Sequence, residues 1–441
     1  MNTVSNTPKG IRRLKNLVLT ILILLICGAM LYLFCVYSNN PFIKKWRDIY
    51  INTAMTTYSH QWLATAFLPA DQVQAVVDAR QAERDAQVGV ITDWGENKPE
   101  KPTTVISSQI STGDDPTDPN IVVYTGEEDP VAPSTSAPAE SVPDSSDLFF
   151  ALFDEIDRSS MLGYINTHPE VIADGWENIN INEAALYDSG TDIRTTAGDQ
   201  VLAIDAANGI LLIRVADDGY RGVLGIAKDS SMVSIHAGKA IGNYGSLCED
   251  IAEDAGALLA MNASAFYDPD GKGNGGTLVG YTVCEGEHYG YIAGNTYAGR
   301  SWKRLELRED DLMYIVDSAT SVDPTTTDAC EFTDALIVNG ETLVSGTWEI
   351  HPRAAVGMSS DCEAMFIVIE GRQPLKKLLG TTAVEVAKIL RRYDCAQAML
   401  LDGGSSAIMV YHGEPVTMCS NGYETGRPLP NAWVVVPHDE Q

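Results

Sequence analysis

The chain has 441 residues, with 60 acidic against 30 basic side chains and a formal net charge of −30. That length exceeds one ordinary domain, and so acidic a body repels nucleic acid. The charge is also uneven. Lys9, Arg12, Arg13, Lys15, Lys44, Lys45 and Arg47 all lie in the first 47 positions, which hold no acid, so the remainder carries 23 basic against 60 acidic residues.

Residues 1–16 read as a basic cytoplasmic tail. Leu17 to Tyr37 has no charged residue and is long enough to cross a bilayer as a helix. Basic residues flank both ends, and Ser38-Asn39-Asn40-Pro41 offers no small-residue cleavage site, so 17–37 is expected to be an uncleaved signal anchor. This places the protein in the cell membrane as a single-pass chain with its C-terminal part extracytoplasmic. Residues 38–92 read as a juxtamembrane helical segment, with Ala54, Tyr58, Trp62 and Ala66 near helical spacing and no breaker from Asp71 to Ala86. Residues 93–147 turn to Pro, Ser, Thr and acids, the composition of a disordered linker that holds a domain away from the membrane.

Residues 148–441 carry globular patterning. Phe149, Phe150, Leu152, Phe153 and Ile156 suit a short docked helix. Val201–Ile204 and Ile210–Val215, joined across Asn208-Gly209, predict a hairpin. Further apolar runs predict strands at 221–228, 231–236, 257–261, 277–283, 312–316, 335–338, 364–369, 398–401, 407–411 and 432–436. Helices are expected at 247–256 and 382–393, the second with Ala383, Val386, Ala387 and Leu390 on one face. The fold class that follows is α+β, a strand-rich mixed-sheet core with a few packed helices.

Several segments carry candidate chemistry. In Leu400-Leu-Asp402-Gly403-Gly404-Ser405-Ser406 a strand ends at a carboxylate beside backbone N–H groups that no side chain shields. Asn262 opens a glycine-rich loop that ends at Gly276 and Thr277, suited to closing over a sugar. Within it Asp268, Asp270 and Asn274 are oxygen donors suitable for calcium, although their spacing departs from the calcium-loop pattern and no cofactor is required. Arg353 and Arg372 lie at predicted strand ends, as phosphate ligands or as partners of surface acids. Glu385 is either a catalytic acid or the third residue of a capping box begun by Thr382. Outside the span, Cys248, Cys284, Cys330, Cys362, Cys395 and Cys419 are compatible with disulfides or with buried thiols; none forms a zinc spacing.

Together these segments resemble the phosphodiester glycosidase family. The resemblance rests on Asn262-Ala-Ser-Ala-Phe266, Pro352-Arg353-Ala-Ala-Val-Gly357, Glu370-Gly-Arg372, Gly380-Thr-Thr-Ala-Val-Glu385, Leu400-Leu-Asp402-Gly-Gly-Ser-Ser406 and Arg427-Pro-Leu-Pro-Asn431-Ala432, over residues 255–437. It implies glycosidic C–O cleavage of a sugar 1-phosphodiester in the cell envelope or an exopolysaccharide. Asp402 would be the leading carboxylate, with Glu370 and Glu385 behind it. Arg353 and Arg372 would hold phosphate; Asn262, Gly276, Thr277, Gly403, Gly404, Ser405 and Arg427 would line the substrate site. The sequence departs from the family pattern at Ala263 and Ser264, where the family has two glycines, and at Glu370, where it has aspartate. Those departures leave an alternative, a non-catalytic module that binds phosphodiester-linked polysaccharide.

Overall fold

The computed structural model describes residues 9–56, 61–95, 145–186, 189–269, 273–289, 302–346, 348–420 and 425–438. They form two units, one of Met1–Ala82 with Gly346–Ile350 and one of Glu83–Ser345 with His351–Gln441. The first is helical: α1 (Lys9–Tyr37), α2 (Pro41–Met55), α3 (Gln61–Thr65) and α4 (Ala70–Asp85). Arg13–Tyr37 is long and apolar enough to cross a membrane. The side chain of Asn40 caps α2 by accepting the Phe42 N–H, with Pro41 in the first turn, where a missing N–H does no harm. Ile51, Ala54, Ala64 and Val73 form its small core, and the Arg80 guanidinium stacks 3.3 Å above the Trp348 ring.

The strip that runs up to and past Asp93 is docked. Glu83 to Gly95 is part of the second unit and is bonded into it. Gln87 exchanges two hydrogen bonds with the Ala335 backbone, and Lys303 Nζ donates to the carbonyls of Gln87 and Val90. Thr92 bonds the backbone of Ile315 and the side chain of Gln397, and Trp94 Nε1 donates to the Met313 carbonyl. Most of the expected linker, 96–144, lies outside the described residues. Both segments that flank it belong to the same unit.

In chain order the second unit continues with α5 (Ser145–Leu152), α6 (Arg158–Thr167), β1 (Asn180–Asn182), β2 (Gln200–Asp205), β3 (Ile210–Asp217), β4 (Tyr220–Ala227) and β5 (Val233–Ala237). Next come α7 (Cys248–Ala255), β6 (Leu259–Asn262), β7 (Thr282–Cys284), β8 (Glu287–Tyr289), β9 (Lys303–Arg308), β10 (Met313–Asp317) and β11 (Thr326–Phe332). The rest is β12 (Ala335–Val338), β13 (Glu341–Thr342), β14 (Arg353–Ser359), β15 (Ala364–Ile369), α8 (Ala383–Arg391), β16 (Cys395–Leu400), β17 (Met409–Tyr411), β18 (Glu414–Pro415) and β19 (Asn431–Val435). A nine-stranded sheet has the order β1-β2-β3-β4-β15-β14-β16-β12-β13; two five-stranded sheets run β10-β9-β11-β7-β8 and β18-β17-β6-β19-β5. All three contribute to one core, through Leu212 and Val223, Leu305 and Ile315, and Met261 and Trp433. The α+β reading is confirmed.

Register is what assembles the site. β14 is antiparallel to both neighbours, with Arg353 opposite Ile369 and Ala355 opposite Leu400. The start of β14 therefore meets the ends of β15 and β16, bringing Arg353, the 370–372 turn and Asp402 to one end of the large sheet. In the β18-β17-β6-β19-β5 sheet, Asn262 at the end of β6 pairs with Ala432 near the start of β19. Several strands escaped the sequence reading, β9 and β11 among them. β9 hides its apolar pattern among Lys303, Arg304 and Glu306, all buried; Arg304 bonds Glu306 at 2.8 Å and Glu331 at 3.3 Å. The six cysteines of this unit are buried free thiols.

Candidate active site

Asp402 stands just beyond β16 on a loop that glycine makes possible. Gly403 passes so close to Pro352 that a Cβ there would lie 2.5 Å from its carbonyl oxygen. Gly404 has φ +63°, and a Cβ on it would meet Arg372 Nη1 at 3.0 Å. The loop is braced from below by Asn262. Its Nδ2 donates to the Asp402 carbonyl at 2.8 Å and its Oδ1 accepts from Ile408 N–H at 3.2 Å. Asn262 is 1% exposed, and these two bonds splint the loop.

Two arginines, Arg372 and Arg427, act on this acid, and Arg353 lies near Arg372 and His351. Arg372 has φ +56°, a conformation fixed by its N–H bond to the Leu379 carbonyl, and its guanidinium donates to His351 Nδ1 at 3.3 Å. Arg353 is buried and donates from Nε to the Thr381 carbonyl at 3.2 Å. Arg427 comes from the C-terminal loop and is held on several sides. Its Nη1 donates to Asp268 at 2.7 Å and to Ser405 Oγ at 3.2 Å, its Nη2 reaches Asp268 and the Gly273 carbonyl, and its guanidinium lies 4.6 Å from the Phe266 ring centroid.

These neighbours set the charge of Asp402. Burial raises its pKa to about 6; the Ser406 hydrogen bond, Arg427 and Arg372 oppose the rise, and Asp268 adds to it. For Asp268 burial also pushes upward, but the Arg427 hydrogen bond and the Gly273 N–H outweigh it and hold the carboxyl below its ordinary value. Burial, then Arg353, lowers Arg372, with Asp402 opposing. His351 is pushed down to about 2 by burial and by the two arginines, so it is a neutral imidazole.

Not every expected residue joins this cluster. Glu370 is buried at 2% exposure and accepts both contacts of Arg221 Nη2, at 2.8 and 3.0 Å; its carboxylate is committed to that pair. Glu385 lies in the first turn of α8, where its N–H donates to Thr382 Oγ1 and its carboxylate pairs with Lys388 at 3.1 Å. Thr382 is the cap, and the Glu385 carboxylate faces Lys388, outside the groups that set Asp402's charge. Gly276 is buried, and a Cβ on it would strike the Tyr244 backbone, so the missing side chain serves internal packing. Thr277 is half-buried and its carbonyl accepts the Tyr267 N–H.

Two of the three candidate calcium donors have other partners. Asp268 is taken by Arg427, the Asn274 amide is used by the Asn243 carbonyl and the Gly276 N–H, and Asp270 lies outside the described residues. Asp154, Glu155 and Glu363 bring carboxylate oxygens together elsewhere, but Lys228 Nζ bonds Glu155 at 2.7 Å and Glu363 at 2.6 Å and supplies the positive charge itself. Ala263 and Ser264 are buried in the interior; Ser264 Oγ bonds Thr282 Oγ1 and Asn431 Nδ2. Sequence reasoning missed two members of the cluster. His351 adjoins the Pro352-Arg353 motif, a signal that was available; the Asp268–Arg427 pair spans 159 positions and left none.

Residues 255–436 match the family model for phosphodiester glycosidases. Over 74 residues, 17% of this chain, the sequence is 34% identical to the SPbeta prophage-derived uncharacterized protein YomE of Bacillus subtilis (strain 168), and the match spans 11% of that protein. Among solved structures, the catalytic domain of zebrafish N-acetylglucosamine-1-phosphodiester alpha-N-acetylglucosaminidase, auto-inhibited by its pro-peptide, is 18% identical with a TM-score of 0.42, covering 52% of this chain and 82% of that one. A hypothetical protein from Synechocystis is 14% identical with a TM-score of 0.36, covering 55% and 65%. The matched residues, 255–436, run from β6 to β19 and include Asp402, Arg353, Arg372 and Arg427, so this part of the chain is similar to the phosphodiester glycosidase family of glycosidase-type hydrolases.

Proposed function

We propose that this chain is a membrane-anchored hydrolase, its catalytic domain on the extracytoplasmic side, that cleaves the glycosidic bond of a sugar 1-phosphodiester in the cell envelope or an exopolysaccharide. The observation that carries the reading is the gathering of one carboxylate, Asp402, with Arg372 and Arg427 and with Arg353 close by. In the reaction the bond between the anomeric carbon and the bridging phosphate oxygen breaks, and its electron pair leaves with the phosphate monoester. Water adds to the anomeric carbon and loses a proton. A phosphate leaving group needs charge neutralisation more than protonation, which is the work assigned to Arg372 and Arg353. Asp402, ionised above pH 6, faces the positive charge that builds on the sugar ring. Arg427, fixed by Asp268 and Ser405, orients the loop that carries it.

The buried positions of Ala263 and Ser264 favour the enzyme over the binding module, because those side chains take no space from a ligand. The test is turnover of a panel of sugar 1-phosphodiesters, UDP-sugars included, by the detergent-solubilised full chain. Asp402→Asn is expected to lower kcat by about 10²–10³-fold. Undiminished turnover by Asp402→Asn would refute the assignment, and polymer binding without turnover on the whole panel would favour the binding module.

A further inference from the structure

We infer that His351 is the positioning residue of the phosphate site, holding the Arg372 guanidinium in place through the lone pair of Nδ1. The argument begins with donor chemistry. A guanidinium has only donors, so the 3.3 Å contact between Arg372 Nη2 and His351 Nδ1 requires an unprotonated Nδ1. The imidazole is then the neutral tautomer with its proton on Nε2. A protonated ring would set a cation against Arg372 with Arg353 also acting on it, and the burial of His351 at 8% exposure keeps water from relieving that repulsion. The main chain that carries the ring is held as well. His351 N–H donates to the Thr381 carbonyl and Thr381 N–H donates back to the His351 carbonyl, which pins the backbone at the entry to β14.

A second contact of Arg372 is equally defined. Its guanidinium lies beside Gly404, within 3.0 Å of where a Cβ would sit, and feels the charge of Asp402. Arginine carries many rotamers, and an unheld guanidinium in this place would swing onto Asp402 and close the site as an ion pair. A fixed acceptor for Nη2 opposes that collapse and keeps the remaining N–H groups available for a phosphate oxygen. The inference rests on the reading of Arg372 as a phosphate ligand and goes beyond it by naming what makes the ligand competent.

The test compares three replacements in the detergent-solubilised full chain, with glucose 1-phosphate and inorganic phosphate as probes in titration calorimetry. An asparagine Oδ1 falls where His Nδ1 was, whereas a glutamine carbonyl reaches only toward the Nε2 position. His351→Asn should therefore stay within about threefold of wild type, and His351→Gln and His351→Ala should lose roughly tenfold or more. A residue that merely fills space would not distinguish Asn from Gln in this order. If His351→Gln and His351→Ala bind as wild type does while Arg372→Ala loses binding, the positioning role is overturned and the phosphate site stands. If Arg372→Ala also binds normally, the site itself is wrong and the inference falls with it. Should the alanine variant fail to fold, the Asn-against-Gln comparison decides alone.

Discussion

The pKa of Asp402 gives a sharp prediction about pH. A carboxyl at its ordinary 3.8 is fully ionised from pH 5 upward, but one raised to about 6 is not. Only about a tenth of the molecules carry the anion at pH 5 and about nine-tenths at pH 7, so kcat/KM should rise roughly tenfold across that interval. A phosphodiester stays ionised throughout this range, so the limb belongs to the enzyme. The groups facing Asp402 should move the limb in opposite directions. Asp268 pushes its pKa up, so Asp268→Asn should shift the limb to lower pH; Arg372 pushes it down, so Arg372→Lys, which retains the charge, should leave it nearly fixed while weakening phosphate binding. The assay is initial-rate turnover of the best diester at substrate well below KM, in buffers of constant ionic strength. A profile flat between pH 5 and 7, or one that falls with rising pH, would refute the assignment of Asp402 as the working anion.

Three further outcomes test the surrounding architecture. Gly404→Ala should destabilise by about 1–2 kcal/mol, because φ is +63° there, and should weaken glucose 1-phosphate binding by displacing Arg372; denaturant titration and calorimetry check the two effects separately. Lys228→Met leaves Glu155 and Glu363 without their shared cation and should cost about 3–5 kcal/mol in denaturant titration, with kcat of the surviving folded fraction unaltered. Asn262→Ala removes both bonds that brace the catalytic loop, so turnover should fall while Arg353 and Arg372 still bind inorganic phosphate, a split that kinetics and calorimetry together would read.

What the sequence made legible was local. Asp402 was legible as a candidate because glycines follow a short apolar strand and the arginine motifs around it set it apart from an ordinary turn. The capping role of Thr382 was equally readable, since it stands just before an apolar helix face. Long-range partners left no such trace. Nothing near Glu370 shows that Arg221, on the adjacent strand β4, neutralises it. Asp268 reads as a calcium donor until Arg427 arrives across 159 positions. Gly276 looks like a ligand contact and turns out to be a close approach of two backbone segments. β9 eluded a reading based on apolar alternation because its polar residues face inward and pair there.

The docking of Glu83 to Gly95 on the domain changes what the acidic stretch after it can do. A chain that leaves a folded body and returns to the same body is a closed loop, and lengthening such a loop adds only slowly to its closure entropy. Insertions or deletions between Gly95 and Ser145 therefore add little to the cost of folding the domain. Cleavage within that stretch would leave Glu83 to Gly95 held on the domain through Gln87, Thr92 and Trp94.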